Sequence, residues 1–382
     1  MILTLSFFTM QKRISLLILI SFVLLAFIPK STSVDNSLKI AFKDHFLIGA
    51  AVNNRQVSGM DQAALPVLEK HFSSISPENL LKWGPVHPMP GVYNFTPADQ
   101  FVEMGAQLGA FIVGHTLVWH QQTPDWVFEN DNGELLEKKE LIARMEDHIE
   151  TVAGRYKGRI HGWDVVNEVF FDNGQYRTSK WYNAAGKDFI KAAFRKAHQV
   201  DPETELYYND YNMWKPEKRE AAIALAREMR SEGIKIDGIG MQGHYGLDSP
   251  SLDQIEASIV AIAAAGFQVM FTEVDIDVLP NPVNRQGADI DATFEADEKY
   301  NPYKNELPQE IQEKLAKRYA ALFALFVKHS DKISRITFWG VNDGGSWLNN
   351  WPIKGRTAYP LPFDKEYKEK EAVLKEILGV LR

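Results

Sequence analysis

The chain has 382 residues, 45% hydrophobic, 24% charged and 12% aromatic, which excludes disordered, collagen-like and coiled-coil classes and leaves a globular protein. A net charge of −8 without a Lys/Arg-rich stretch gives no surface to follow a phosphate backbone, so nucleic acid is not an expected partner. With no cysteine, disulfides, thiolate metal sites and a cysteine nucleophile are ruled out, and no HExxH-type spacing offers a metal site from other ligands.

The first predicted element is a targeting segment. Lys12 and Arg13 precede an apolar run at residues 14–28, followed by Pro29 and the small polar Ser31, Thr32 and Ser33. A basic region, an apolar region and small residues in that order read as a secretory signal over residues 1–33. The run is shorter than the ~20 residues of a spanning helix, so no stable membrane span is expected; an uncleaved anchor is the competing reading. Apolar residues ahead of the charges leave Met10 as an alternative start. The expected location is periplasmic or extracellular, after cleavage.

From residue 34 to 382, short apolar or β-branched runs alternate with amphipathic ones. Strands are predicted at residues 46–52, 71–76, 110–118, 160–166, 205–208, 238–242, 268–272 and 335–339. Between them, Leu141, Met145, Ile149 and Val152 step at helical spacing, as do Ala222, Leu225, Ala226 and Met229, and Leu252, Ile255, Ile259 and Ile262. Gly233 and Gly266 supply stops. Eight strand–helix units without a repeat or linker predict an α/β fold, a single (β/α)8 TIM barrel; two open α/β domains are the alternative. The irregular stretch at residues 279–308 reads as a loop on the face where such barrels do chemistry.

Polar and aromatic residues gather where the strands end. Glu78, Asn79, Lys82 and Trp83 follow the second; His115, Trp119, His120, Gln121 and Gln122 belong to the third; Trp163, Asp164, Asn167 and Glu168 to the fourth. Asn209, Asp210, Tyr211 and Asn212 follow the fifth, Gln242 and His244 the sixth, Glu273 and Asp275 the seventh, and Trp339, Asn342 and Asp343 the eighth. Seven clusters on one face imply a long polar cleft. Strands four and seven lie almost opposite in an eight-stranded ring, so Glu168 and Glu273 are expected to face each other across it. Two carboxylates astride an acetal carbon suit glycoside hydrolysis, in which one must be protonated and the other ionised.

The motifs PENLLKW (77–83), GHTLVWHQQTPDW (114–126), WDVVNE (163–168), NDYN (209–212), GMQGH (240–244), TEVDI (272–276) and FWGVNDGGSW (338–347), in this order, resemble the family 10 glycoside hydrolases, chiefly endo-1,4-β-xylanases. The likeness runs from about residue 38 to the C-terminus. It implies a retaining double displacement with Glu273 as nucleophile and Glu168 as acid/base. It further implies that His244, with Asp275 behind it, supports the nucleophile, and that Asn167 bonds the 2-hydroxyl of the sugar beside the cleaved bond. Glu78, Asn79, Lys82, His115, Trp119, Gln122 and Gln242 match the family's non-reducing-side sugar contacts, and Trp339 and Trp347 its indole walls. The implied partners are xylan and xylo-oligosaccharides, acted on by a monomer without cofactor or separate carbohydrate-binding domain.

Plainer readings compete at several positions. A solvated helix charge is the lesser reading of Lys82, and a cap the competing one of Glu78; His120 reads as a core histidine, and Trp83, Trp126 and Trp163 as packing. Asn209 and Tyr211 stay undecided between site and support. The run from Gly238 to Gly243 spells GxGxxG, but loop sequence follows it and no acidic ribose partner stands ~20 residues on, so a dinucleotide site is not expected. Asn94-Phe95-Thr96 is a glycosylation sequon by spelling only. Ser76-Pro77 and Val169 depart from the family pattern without removing a functional group. A barrel glycosidase acting on β-glucan and a non-catalytic sugar-binding barrel are the rival functions.

Overall fold

Parallel strands close into a ring at the centre of the chain. The structure, a computed structural model, describes residues 37–130, 132–282 and 293–382; the predicted targeting segment lies outside them, as do residues 283–292 of the long loop. The strands are β1 (Leu47–Val52), β2 (Ser74–Pro77), β3 (Phe111–Val118), β4 (Gly162–Asn167), β5 (Glu205–Asp210), β6 (Gly238–Met241), β7 (His244–Gly246), β8 (Gln268–Asp277) and β9 (Ile333–Phe338). Each of β1 to β5 pairs with the next, β6 skips to β8, β8 pairs with β9, and β9 closes on β1. The fold is a single (β/α)8 TIM barrel. Among the described residues, no helix is long and apolar enough to cross a membrane.

Two details differ from the sequence expectation. β7 is an additional three-residue strand that pairs only with the C-terminal end of β8, which is ten residues long. The second strand begins at Ser74 rather than 71, because His71 closes the helix Ala64–His71: Leu68 and His71 turn one helical face inward, and the Phe72 N–H donates to the Leu68 carbonyl at 3.1 Å.

Apolar spacing explains how the outer helices bind the ring. On Gln309–Lys328, Leu315, Tyr319, Leu322, Phe323 and Phe326 recur every three or four residues and are all buried. Each such side chain contributes about 1.5–3 kcal/mol on burial. The helix Leu252–Ala264 starts at a capping box in which Ser251 accepts from the Gln254 N–H and Gln254 accepts from the Ser251 N–H.

An aromatic column lies against β3. The Trp83 ring stacks on His148 at 3.6 Å, and Nδ1 of His148 meets Nδ1 of His87 at 3.1 Å. Burial, only partly offset by Asp147, pulls His87 down to about 4; burial and then His87 pull His148 well below its ordinary value. The unfolded chain therefore takes up these protons first, near pH 6.5, and the native state loses about 1.4 kcal/mol per pH unit for each such histidine as pH falls below that value. We expect His148→Phe to flatten the decline of Tm between pH 6.5 and 4.5; a slope equal to that of the parent protein would refute the account.

Candidate active site

Strand ends bring the predicted polar residues to one rim of the barrel. A cavity of about 150 Å³ is lined by Glu78, Asn79, Lys82, His115, Trp119, Gln122, Asn167, Glu168, Gln242, His244, Glu273, Trp339 and Trp347. Asp275 sits behind His244 and lines an adjoining groove of about 510 Å³, which shares His244 and Trp347 with the cavity. Every residue singled out from the sequence for the site is thus in one place. His120, Trp83, Trp126 and Trp163 do not line the cavity.

Glu273 lies within β8 and is buried. Its Oε1 accepts from Asn209 Nδ2 at 2.8 Å, and its Oε2 lies 3.2 Å from His244 Nε2. His244 Nδ1 in turn is 3.0 Å from Asp275 Oδ1, and Asp275 Oδ2 accepts from Trp347 Nε1 at 2.7 Å. Burial works against a charged His244, but Asp275 and then Glu273 prevail and raise it to about 10. It is therefore an imidazolium at neutral pH, donating from both nitrogens. Burial would raise the Glu273 carboxyl; the His244 bond and the fields of His115, His244 and Lys82 outweigh it and hold Glu273 below the ordinary glutamate value.

Glu168 is the first residue beyond β4. Its φ of 59° puts it in the left-handed region, which costs a side-chain-bearing residue roughly 1–2 kcal/mol, while its N–H still donates to the Asn209 carbonyl at 2.9 Å. Such strain is found where the position of a side chain matters more than its stability. Trp119 Nε1 donates to Oε2 at 2.9 Å; Gln242 Nε2 and Asn167 Nδ2 donate to Oε1 at 2.8 and 3.2 Å. Burial raises this carboxyl, and the negative field of Asp210 and, more weakly, of Glu273 adds to it against the bonds from Gln242 and Trp119. The two glutamates are therefore shifted in opposite directions, Glu168 toward the protonated form and Glu273 toward the ionised one.

Asn209, undecided from sequence, joins them. Thr272 Oγ1 donates to Asn209 Oδ1 at 2.7 Å, which fixes the amide so that Nδ2 faces both Glu273 and Asn167 Oδ1, the latter at 3.0 Å. The close approach of this amide also explains a glycine of the GxGxxG spelling: a Cβ on Gly240 would lie 2.4 Å from Asn209 Oδ1. Gly243, with φ 89°, then turns the chain between β6 and β7 so that His244 can pair with the end of β8. These glycines serve the packing of the rim rather than a dinucleotide.

Lys82 is 6% exposed, which sets aside a solvated helix charge. Its ammonium donates to Asn79 Oδ1 at 2.9 Å and stands 4.7 Å above the Trp119 ring. Burial lowers it, against the carboxylates of Glu273, Glu78 and Glu168; burial raises Glu78, against Lys82. Asn79 Oδ1 also accepts from Gln122 Nε2 at 3.3 Å, and His115 Nδ1 is 2.9 Å from Asp164 Oδ2. Donors and acceptors thus alternate around a small space walled by indoles, an arrangement that suits the hydroxyls and apolar faces of a sugar. Trp351, which the sequence did not mark, stacks on Trp347 at 4.2 Å beside the groove. Among the described residues no group of three or more His, Asp or Glu could hold a metal ion.

A family model described as Glycosyl hydrolase family 10 matches residues 37–377. Endo-1,4-beta-xylanase A of Xylanibacter ruminicola is 44% identical over 342 residues, which cover 90% of this chain and 92% of that protein. The beta-1,4-xylanase of Dictyoglomus thermophilum is 40% identical over 338 residues, covering 88% and 89%. Among solved structures, a family 10 endoxylanase retrieved from a sugarcane soil metagenome shares 45% identity at a TM-score of 0.87, covering 90% of this chain and 99% of that one.

Proposed function

The chain belongs to glycosyl hydrolase family 10, and from that premise we propose that it is an endo-1,4-β-xylanase in which Glu273 is the nucleophile and Glu168 the acid/base. The observation that carries this is the meeting of two buried glutamates in one small polar cavity, where their surroundings raise the Glu168 carboxyl and lower that of Glu273. In the first step Glu273 attacks the anomeric carbon while the proton of Glu168 passes to the departing sugar oxygen, leaving a covalent glycosyl-enzyme. Esterification removes the charge of Glu273, which is one of the influences keeping Glu168 protonated. Glu168 then takes a proton from water as that water attacks the same carbon from the opposite face, and the configuration is retained. Asn167, poised between Asn209 and Glu168, is the group we assign to the 2-hydroxyl. The cavity corresponds to the non-reducing side and the larger groove to the product side.

Export of the enzyme through the leader at residues 1–33 belongs to the same proposal, as does action on xylan and xylo-oligosaccharides. Incubation with unbranched xylan and, separately, soluble β-glucan tests the substrate class. Mixed-length oligomers appearing early from xylan alone are expected. Products from glucan alone would move the assignment to a β-glucanase, and none from either would leave a binding barrel.

The nucleophile's partner yields a sharper expectation. In His244→Gln, Glu273 loses its cationic donor and its carboxyl rises. Activity requires the ionised form, so the acid limb of kcat/KM moves to higher pH while the alkaline limb stays in place. A profile lowered uniformly, with both limbs unmoved, would show that His244 does not set the charge of Glu273.

A further inference from the structure

Beneath Glu168 lies a second group of charges that does not line the cavity. Lys218, on the helix Pro216–Ser231, and Asp210, the last residue of β5, are both 0% exposed and form an ion pair at 2.7 Å. Strands β4 and β5 pair with Asn167 opposite Asn209, so Asp210 is the neighbour of Glu168 across the ladder. Asp210 Oδ2 accepts from the Tyr208 hydroxyl, and that hydroxyl accepts from the N–H of Val169, the residue after Glu168, at 3.1 Å. Asp210 Oδ1 accepts from the Tyr211 N–H at 2.9 Å. An ammonium and a backbone N–H can only donate, so the Oδ1 side fits an ionised carboxylate; burial raises the Asp210 carboxyl, and Lys218, the Tyr208 bond and Arg177 oppose that rise.

An ion pair so completely buried is weak evidence for stability, since desolvation offsets much of its attraction. Its position suggests a different use. We propose that Asp210, paired with Lys218 and bonded by the Tyr208 hydroxyl, is a positioning residue that acts through Glu168, as a negative charge behind the acid/base. The idea rests on the assignment of Glu168 made above. The charge of Glu273 disappears when the glycosyl-enzyme forms, whereas that of Asp210 persists through the cycle. Asp210 thus keeps the carboxyl protonated for the first step and keeps it basic enough to take a proton from water in the second.

The other ionisable groups around Glu168 do not duplicate this role. Glu273 faces it from β8, and Lys82 from beyond β2. Arg177, from the loop after β4, donates to the Glu168 carbonyl at 3.3 Å and to the Tyr211 hydroxyl at 2.6 Å. Tyr208 and Tyr211 are held neutral by burial. Asp172 lies 3.5 Å from Lys218 on its far side. After burial, Asp210 is the strongest influence raising Glu168, ahead of Glu273.

The test is the pH dependence of kcat/KM for Asp210→Asn on a xylo-oligosaccharide and on an aryl xylobioside whose leaving group needs no proton. On the oligosaccharide the alkaline limb is expected to fall by roughly one pH unit, with the acid limb unmoved; on the aryl glycoside kcat/KM should stay near that of the parent. Lys218→Met leaves Asp210 buried without its cation, so it takes up a proton and the limb moves the same way. If either single variant fails to fold, the double variant Asp210→Asn/Lys218→Met removes both charges together and should show the same displacement. An unmoved alkaline limb in a folded variant, or a loss of equal size on both substrates, overturns the proposal. Glu168→Ala on the same two substrates separates this from failure of the underlying assignment: equal loss there would remove Glu168 as the acid, whereas loss on the oligosaccharide alone leaves only Asp210 in question.

Discussion

Glu273→Ala is expected to lower kcat on xylan by roughly five orders of magnitude, because no other group can form the covalent intermediate. The loss should be chemical rather than structural. His244 keeps its bond to Asp275, so its imidazolium is not abandoned in a buried site, and the indole and amide contacts that hold sugar remain. Sugar affinity is thus expected to survive. The vacated volume suggests a positive check: a small anion such as azide, entering the space of the lost carboxylate, should attack from that face and give a glycosyl azide of inverted configuration. A retained product, or residual hydrolysis within tenfold of the parent, would point to a nucleophile other than Glu273.

Glu168→Ala is expected to separate substrates by their leaving groups. On xylan the departing alkoxide needs its proton, and loss of a general acid costs roughly 10²–10⁴-fold. An aryl xylobioside with an acidic phenol needs none, so glycosylation should proceed while deglycosylation, now without its base, becomes slow. A burst of phenol equal to the enzyme present, followed by a slow steady rate, is the expected record. Azide should relieve the slow phase and give a product of retained configuration, the mirror of the Glu273 result. Alanine inherits the left-handed φ of residue 168, so the backbone cost is unchanged and a folding defect is not expected to obscure the result.

What could be read from the sequence was position along strands. A residue just beyond an apolar run belongs to the rim of a barrel, and that rule alone placed Glu168, Gln242 and Glu273 on one face. Pairing across the ring was harder to see. Asn209 gains its meaning from Thr272, 63 positions away, and nothing local to NDYN reveals which way its amide is turned. Lys218 was invisible for another reason: on an amphipathic helix rich in Glu, Lys and Arg, one lysine that turns inward looks like its solvated neighbours until β5 is packed beneath it. Three residues are too few to show the alternation of a strand, so β7 passed for loop. His71, directly before Phe72 and the run that follows, fitted a strand as well as a helix end.

The register of β7 on β8 has a wider consequence. His244 and Asp275 are partners in that ladder, and Glu273 lies two residues before Asp275 on the same strand. Main-chain hydrogen bonds, not loop conformation, thereby set the spacing of nucleophile, cation and second carboxylate. The long segment that follows β8 begins only after this unit is complete. The geometry that pairs nucleophile, cation and second carboxylate is thus written into the sheet itself, as rigid as the barrel wall that carries it.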